Sequence, residues 1–193
     1  MSEDVGFKKY INDKNQFEEM IQWFESRTEK HIKLVRKYGK LIGEFQPRFA
    51  DIDYMVHDLS KYNEPEYTPY VHISWHYKMK QEGKRYEISD DINSKMNEAS
   101  HHHVKNNQHH PEYYDENAEL NQQDRDGIPD NVTDGTKMPD DSIAEMVADW
   151  CAMSEELGTN TPKDWADKVI GKRFKFTDEQ TELIYELIDG VWK

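Results

Sequence analysis

An all-α fold follows from three features of this 193-residue sequence. Apolar and aromatic residues recur at intervals of three and four through most of its length. Pro65, Gly83 and Pro111 punctuate those periodic runs, and no run alternates convincingly with period two over strand length. The chain is polar, with a mean hydropathy of −1.07 and 35% hydrophobic residues. Aromatic residues, at 12%, compensate because each ring buries a large area, and a disordered chain of this charge would be poor in rings. The length fits one domain over 1–193.

The first element is the longest. Phe17, Met20, Ile21, Phe24, Thr28, His31, Val35, Tyr38 and Ile42 lie on one stripe, predicting a helix over about 15–42 that ends near Gly43. Lys30, Lys33, Arg36, Lys37 and Lys40 fall mostly off that stripe and read as a solvated face. A second helix is expected over about 48–59, with Ile52, Val56 and Leu59 as its apolar positions. A third is expected to start at Glu64-Pro65, where proline suits a first turn, and to run to about Gln81-Glu82 before Gly83. A fourth spans about 89–106, with Ile92, Met96, Ala99 and His103 on one face.

Residues 115–140 break the pattern with Asp, Asn, Gln, Gly and Pro, and read as an irregular insertion loop. Pro139-Asp140-Asp141-Ser142 then signals a helix start, followed by the stripe Ile143, Met146, Val147, Trp150, Met153 and Leu157. Short helices near 162–170 and 177–191 make up the C-terminal segment, 160–193. The last of them carries Leu183, Ile184, Leu187, Ile188 and Trp192.

Composition also bounds function. The formal charge is −14, from 39 acidic and 25 basic residues, and such a surface repels an extended nucleic acid. A small anionic substrate remains compatible, because a divalent ion reverses the local field. Cys151 is the only cysteine, which rules out an intrachain disulfide and a thiolate-rich metal site. The first ten residues contain no apolar signal core and no stretch approaches a membrane span, so a soluble cytoplasmic protein is expected.

The histidines carry the chemistry. His31, His57-Asp58, His101-His102-His103, His109-His110 and Asp149 follow one another along several expected helices. His31 and His103 sit on apolar stripes and should point inward. Asp149 follows Met146 by three and precedes Met153 by four, beside a buried edge where a lone carboxylate needs a cationic partner. Adjacent side chains on a helix diverge by about 100°, which would let His57 and Asp58 straddle two ions. Imidazole with carboxylate suits Mn, Fe, Zn, Ni or Co. His72 and His76 have the four-residue spacing of a shared ion, although an ordinary helix face explains them as well. Glu66, Tyr67 and Tyr70 are candidates for supporting contacts or core packing, and Glu155 and Glu156 for exposed charge.

In its ordered set His31…His57-Asp58…Asp149 the chain resembles the HD-domain superfamily of metal-dependent phosphohydrolases. His57-Asp58-Leu59-Ser60-Lys61 is similar to a His-Asp-x-Gly-Lys form of its phosphodiesterase branches, with Ser60 in place of glycine. His103 and His109-His110-Pro111-Glu112 resemble the extra histidines of two-metal members. More narrowly, the runs 57–70, 103–112 and 149–155 resemble an uncharacterised family of phage and bacterial HD-like proteins. The glycine-rich sequence that follows His-His-Glu in cyclic-dinucleotide enzymes is missing.

The resemblance implies an HD-like helical bundle and an enzyme hydrolysing phosphate esters. Its ligands to a first divalent ion would be His31, His57, Asp58 and Asp149. His103, His109 and His110 would complete a second site, with Asp58 bridging and acting in catalysis, and Lys61 would face a phosphate oxygen. One or two ions of Mn, Fe, Zn, Ni, Co or Mg, and a small phosphorylated substrate of nucleotide type, follow from it. The competing expectations are a di-iron oxygenase on the same scaffold and a non-catalytic, metal-stabilised binding protein. Homo-oligomers are compatible with all three.

A further candidate site lies in the insertion. Asp124-Arg125-Asp126-Gly127-Ile128-Pro129-Asp130 resembles a short calcium loop, since alternate oxygen ligands and a turn-making glycine are what calcium requires. The bidentate acidic residue expected at its end is replaced by Thr133, so a solvated acidic loop, or a lid over the histidine cluster, competes with calcium binding.

Overall fold

Six helices account for most of the chain in a computed structural model that describes residues 14–120 and 127–193. They are α1 (Lys14–Phe45), α2 (Tyr67–Gln81), α3 (Asp90–Asn106), α4 (Asp140–Leu157), α5 (Pro162–Val169) and α6 (Asp178–Val191). The all-α class holds. The one sheet among the described residues pairs two-residue strands, β1 (Thr133–Asp134) and β2 (Phe174–Lys175), in parallel. Strands that short leave no alternation to read. No helix among the described residues is long and apolar enough to cross a membrane.

The described residues form two compact units. The first takes 14–29 and 59–103, and the second takes 30–58, 104–120 and 127–193. In the first, the expected stripe of α1 buries Met20 and Phe24 in a cluster with Tyr70, Val71, Ile73 and Trp75 of α2 and Ala99 of α3. Lys78 lies over the Trp75 and Trp23 rings, 4.2 and 4.8 Å from their centroids. Helix α2 starts at Tyr67, two residues beyond Pro65, and Gly83 (φ 67°) follows its end.

The second unit packs Val35, Tyr38 and Ile42 of α1 against α4, α5 and α6. Helix α4 contributes Ile143, Met146, Val147, Ala148 and Cys151, all nearly inaccessible, and α6 contributes Leu183, Ile184, Leu187 and Ile188. Burying each large aliphatic chain stabilises the fold by about 1.5–3 kcal/mol. Capping boxes start the two short helices. Thr161 and Asp164 exchange hydrogen bonds of 3.1 and 2.9 Å before α5, and Thr177 and Gln180 do the same before α6. Gln180 Nε2 also donates to the Met138 carbonyl at 2.7 Å, tying α6 to the segment that enters α4.

The helix expected over 48–59 does not form. Two single turns of 3-10 helix, Pro47–Phe49 and Leu59–Tyr62, are separated by a loop. Its positions Val56 and Leu59 are 59% and 44% exposed, so their helical spacing was coincidental. Local polar contacts win instead. Asp53 Oδ1 accepts from the Met55 amide at 2.9 Å, and Arg36 Nη2 donates to the Met55 carbonyl at 3.3 Å. Phe49 anchors the loop at 1% exposure. Glycines on one face of α1 admit it closely: a Cβ on Gly39 would meet the Tyr54 ring at 2.5 Å, and one on Gly43 would meet Ala50 Cα at 2.8 Å. Arg48 Nη1 binds Asp140 Oδ2 at 2.8 Å, fastening the same loop to α4. This seating brings the loop's last two residues, His57 and Asp58, to the core.

Candidate metal centre

Within the second unit, α1 supplies His31, the loop supplies His57 and Asp58, the segment after α3 supplies His109, and α4 supplies Glu145, Asp149 and Glu156. Asp58 has φ 59°, a left-handed conformation that aspartate tolerates better than most residues. That turn corrects the expectation of helical divergence: His57 and Asp58 face one centre because the backbone reverses hand between them. Both are buried, at 1% and 2% exposure.

Four donor atoms converge. His31 Nε2 lies 3.0 Å from Asp149 Oδ1 and 3.8 Å from Asp58 Oδ2. His57 Nε2 lies 3.7 Å from Asp58 Oδ2 and 3.9 Å from Asp149 Oδ1. Ligand atoms bound at about 2.0–2.2 Å to one ion stand about 3.0–3.6 Å apart, so the set needs only small inward movement to hold a metal. On the far side of Asp58, His109 Nε2 lies 3.8 Å from Oδ1, giving this carboxylate an imidazole on each oxygen. His110 lies beside His109, with ring centroids 4.2 Å apart and the ring planes tilted by 43°.

The centre is rich in carboxylates. Asp58, Glu145, Asp149 and Glu156 surround three imidazoles, and Glu156 Oε2 is 3.4 Å from His31 Nδ1. Burial alone would lower the His31 pKa, but Asp149, Glu156 and Asp58 outweigh it and raise it to about 9. Burial would likewise raise Asp149, yet His31, then His57 and His109, hold it far below the usual carboxylate range. His57 Nε2 is buried and has no hydrogen-bond partner among the described residues. A buried ring nitrogen beside two carboxylate oxygens is a donor set that could hold a cation.

Glu145 is the residue that sequence reasoning missed. Its Oε1 lies 2.9 Å from His57 Nδ1 and 3.4 Å from His109 Nδ1. Burial opposes its ionisation, but the contacts with His109 and His57 lower its pKa to about 2. Its spacing was the available signal: Glu145, Asp149 and Glu156 fall four and then seven residues apart, on one face of a helix. Glu156, read as exposed charge, is instead largely covered, whereas Glu155 pairs with Lys37 and Tyr38 at 2.6 and 2.7 Å. Glu112 is buried and receives Arg173 Nη2 at 3.1 Å.

Most of the remaining candidates fall in the first unit. Glu66, wholly buried, accepts from His102 Nδ1 at 2.7 Å, His103 Nδ1 at 2.8 Å and Ser60 Oγ at 2.9 Å. Burial raises its pKa, and these contacts bring it below the ordinary value. Lys61 Nζ sits 5.0 Å from the Tyr70 ring centroid, and His101 is exposed. His72 Nδ1 is 2.7 Å from Tyr86 Oη, a contact that explains it without an ion. Of the candidate calcium ligands, Asp130 is exposed, and Asp124 and Asp126 lie outside the described residues.

A family model described as "Family of unknown function (DUF5662)" matches residues 20–189. The chain belongs to the DUF5662 family. No curated protein and no solved structure matches the sequence. The part matched to DUF5662 contains every residue of the centre, from His31 to Glu156, together with the buried cores of both units except Val191.

Proposed function

We propose that the chain is a metal-dependent phosphohydrolase or phosphodiesterase acting on a small nucleotide-type substrate. One observation carries the reading: His31 Nε2, His57 Nε2, Asp58 Oδ2 and Asp149 Oδ1, from three separate stretches, meet with neighbouring separations of 3.0–3.9 Å. Their order and identities support kinship with HD-type phosphohydrolases. The imidazole-rich donor set suits Mn, Fe, Zn, Ni or Co better than Mg.

A divalent ion held by these residues would polarise a phosphoryl oxygen and make water a nucleophile at neutral pH. The chain's own groups supply the rest. Asp58 offers one oxygen to the His31–His57 side and the other to His109, so it orders both halves of the centre. Asp149, held ionised, keeps the site anionic enough to retain a cation. Burial of His31, His57, Asp58 and His109, none more than 6% exposed, limits competing water. Phosphoryl transfer needs mainly positioning and electrostatics, so no protein nucleophile is required.

The experiment is elemental analysis of the purified protein together with a panel of nucleotides, cyclic nucleotides and phosphate monoesters in Mn, Co, Zn or Fe. Metal-dependent phosphate release or ester cleavage supports the reading. Iron with O₂ consumption and no cleavage of any ester would instead favour the di-iron oxygenase. Bound metal without either reaction would favour a non-catalytic binding protein.

A further inference from the structure

We propose that Glu145 is the positioning residue of this centre, fixing the proton of His57 on Nδ1 so that Nε2 faces the metal. The inference rests on the metal-binding reading above and names a residue outside the HD-like ligand set. A neutral imidazole carries one proton and two inequivalent nitrogens, and the partner of one nitrogen decides the role of the other. Glu145 Oε1 stands 2.9 Å from His57 Nδ1, and an ionised carboxylate can only accept. The proton therefore belongs on Nδ1. With the opposite tautomer, a nitrogen lone pair would face a carboxylate oxygen at hydrogen-bond distance in a buried site.

Nε2 is then an acceptor aimed at Asp58 Oδ2 and Asp149 Oδ1, neither of which can donate when ionised. The ring is buried on all sides and cannot turn to water. Glu145 Oε1 also lies 3.4 Å from His109 Nδ1, while His109 Nε2 stands 3.8 Å from Asp58 Oδ1. One carboxylate thus addresses the outer nitrogen of two rings whose inner nitrogens flank Asp58.

His57, His109 and Glu145 can also be grouped as direct ligands of an ion. That ion would have to bind His57 Nδ1, and His57 could then serve the His31–Asp149 side only as an imidazolate. The orienting role needs no such species. The first unit uses the same device, with the buried Glu66 carboxylate accepting from Nδ1 of both His102 and His103.

Helix α4 makes the arrangement rigid. Glu145 stands one turn before Asp149, so the helix that presents a ligand also presents the group orienting another ligand.

The test compares wild type, Glu145→Ala and Glu145→Gln as full-length, metal-free protein. Long-range proton–nitrogen NMR, at a pH where the His57 ring carries one proton, reports the tautomer. Calorimetric titration with Mn(II) and Zn(II) reports affinity. Wild type should show Nδ1–H at His57. Glu145→Ala should lose that preference and weaken metal binding by about 10–100-fold. Glu145→Gln, whose amide oxygen still accepts, should recover most of the loss.

An Nε2–H tautomer in wild type overturns the proposal, as does a Glu145→Ala variant with unchanged tautomer and affinity. If wild type binds neither metal, the metal reading fails by itself while the tautomer comparison still decides the role of Glu145. Should Glu145→Ala not fold, the wild-type tautomer and the Glu145→Gln affinity decide it.

Discussion

Replacing Gly43 by alanine sets two effects of opposite sign against each other. Gly43 lies inside α1, and alanine at a helix interior is favoured over glycine by about 1 kcal/mol. The added Cβ would stand 2.8 Å from Ala50 Cα and 3.4 Å from Ala50 N. Carbon atoms prefer about 3.5–4.0 Å, and the clash is with backbone that no rotamer change can relieve. Overpacking of this kind costs about 1–3 kcal/mol, so a net destabilisation of up to ~2 kcal/mol is expected. At about 2–4 °C per kcal/mol for a chain of this size, Tm should fall by several degrees.

Ala50 is exposed, so the loop can lift away from α1, and in doing so it carries His57 and Asp58 with it. Metal affinity should therefore fall more than stability does. Urea unfolding and calorimetric metal titration on Gly43→Ala read the two effects separately. A variant about 1 kcal/mol more stable than wild type, with unchanged metal affinity, would show that the loop is not seated on α1 and would refute this account of how the centre is built.

Three other outcomes are expected. Asp58→Asn, chosen because asparagine tolerates the left-handed turn, should abolish metal binding and turnover while far-UV circular dichroism is retained; full activity would remove Asp58 from the centre. In metal-free protein, the His31 pKa rises from 6.5 to about 9, so the stability its proton contributes is complete below about pH 6.5 and is lost as pH climbs through 9. Its partner Asp149 is shifted down from 3.8, so the same pair also weakens on acidification below that range, and urea midpoints should be highest between the two limits, with saturating metal removing the alkaline loss. Arg173→Ala should destabilise by about 3–5 kcal/mol because it strands the buried Glu112 carboxylate, and adding Glu112→Gln should restore much of that in chemical denaturation; an additive double variant would deny the coupling.

Much of this was legible in the sequence, for identifiable reasons. Helix α1 could be read because its buried positions, Met20 to Ile42, are spaced at threes and fours over many turns. His31 shared that stripe, and Asp149 sat beside the buried edge of α4, so their inward placement followed from periodicity. The segment 48–59 failed the same reasoning. Ile52, Val56 and Leu59 imitate a helical stripe, while the forces that shape the loop are side-chain capture of Met55 by Asp53, the Tyr54 ring on Gly39 and the left-handed turn at Asp58. Such long-range and φ-specific contacts leave no periodic trace. Glu145 was hidden for another reason: among 39 acidic residues, one more glutamate carries no signal unless its register with Asp149 is examined.

The most direct measurement is anomalous scattering from a crystal of the metal-loaded protein, collected at the absorption edges of Mn, Fe, Co, Ni and Zn. A peak within bonding distance of His31 Nε2, His57 Nε2, an Asp58 oxygen and Asp149 Oδ1 is the expected result. Metal density elsewhere, with those four donors occupied only by protons and water, would contradict it.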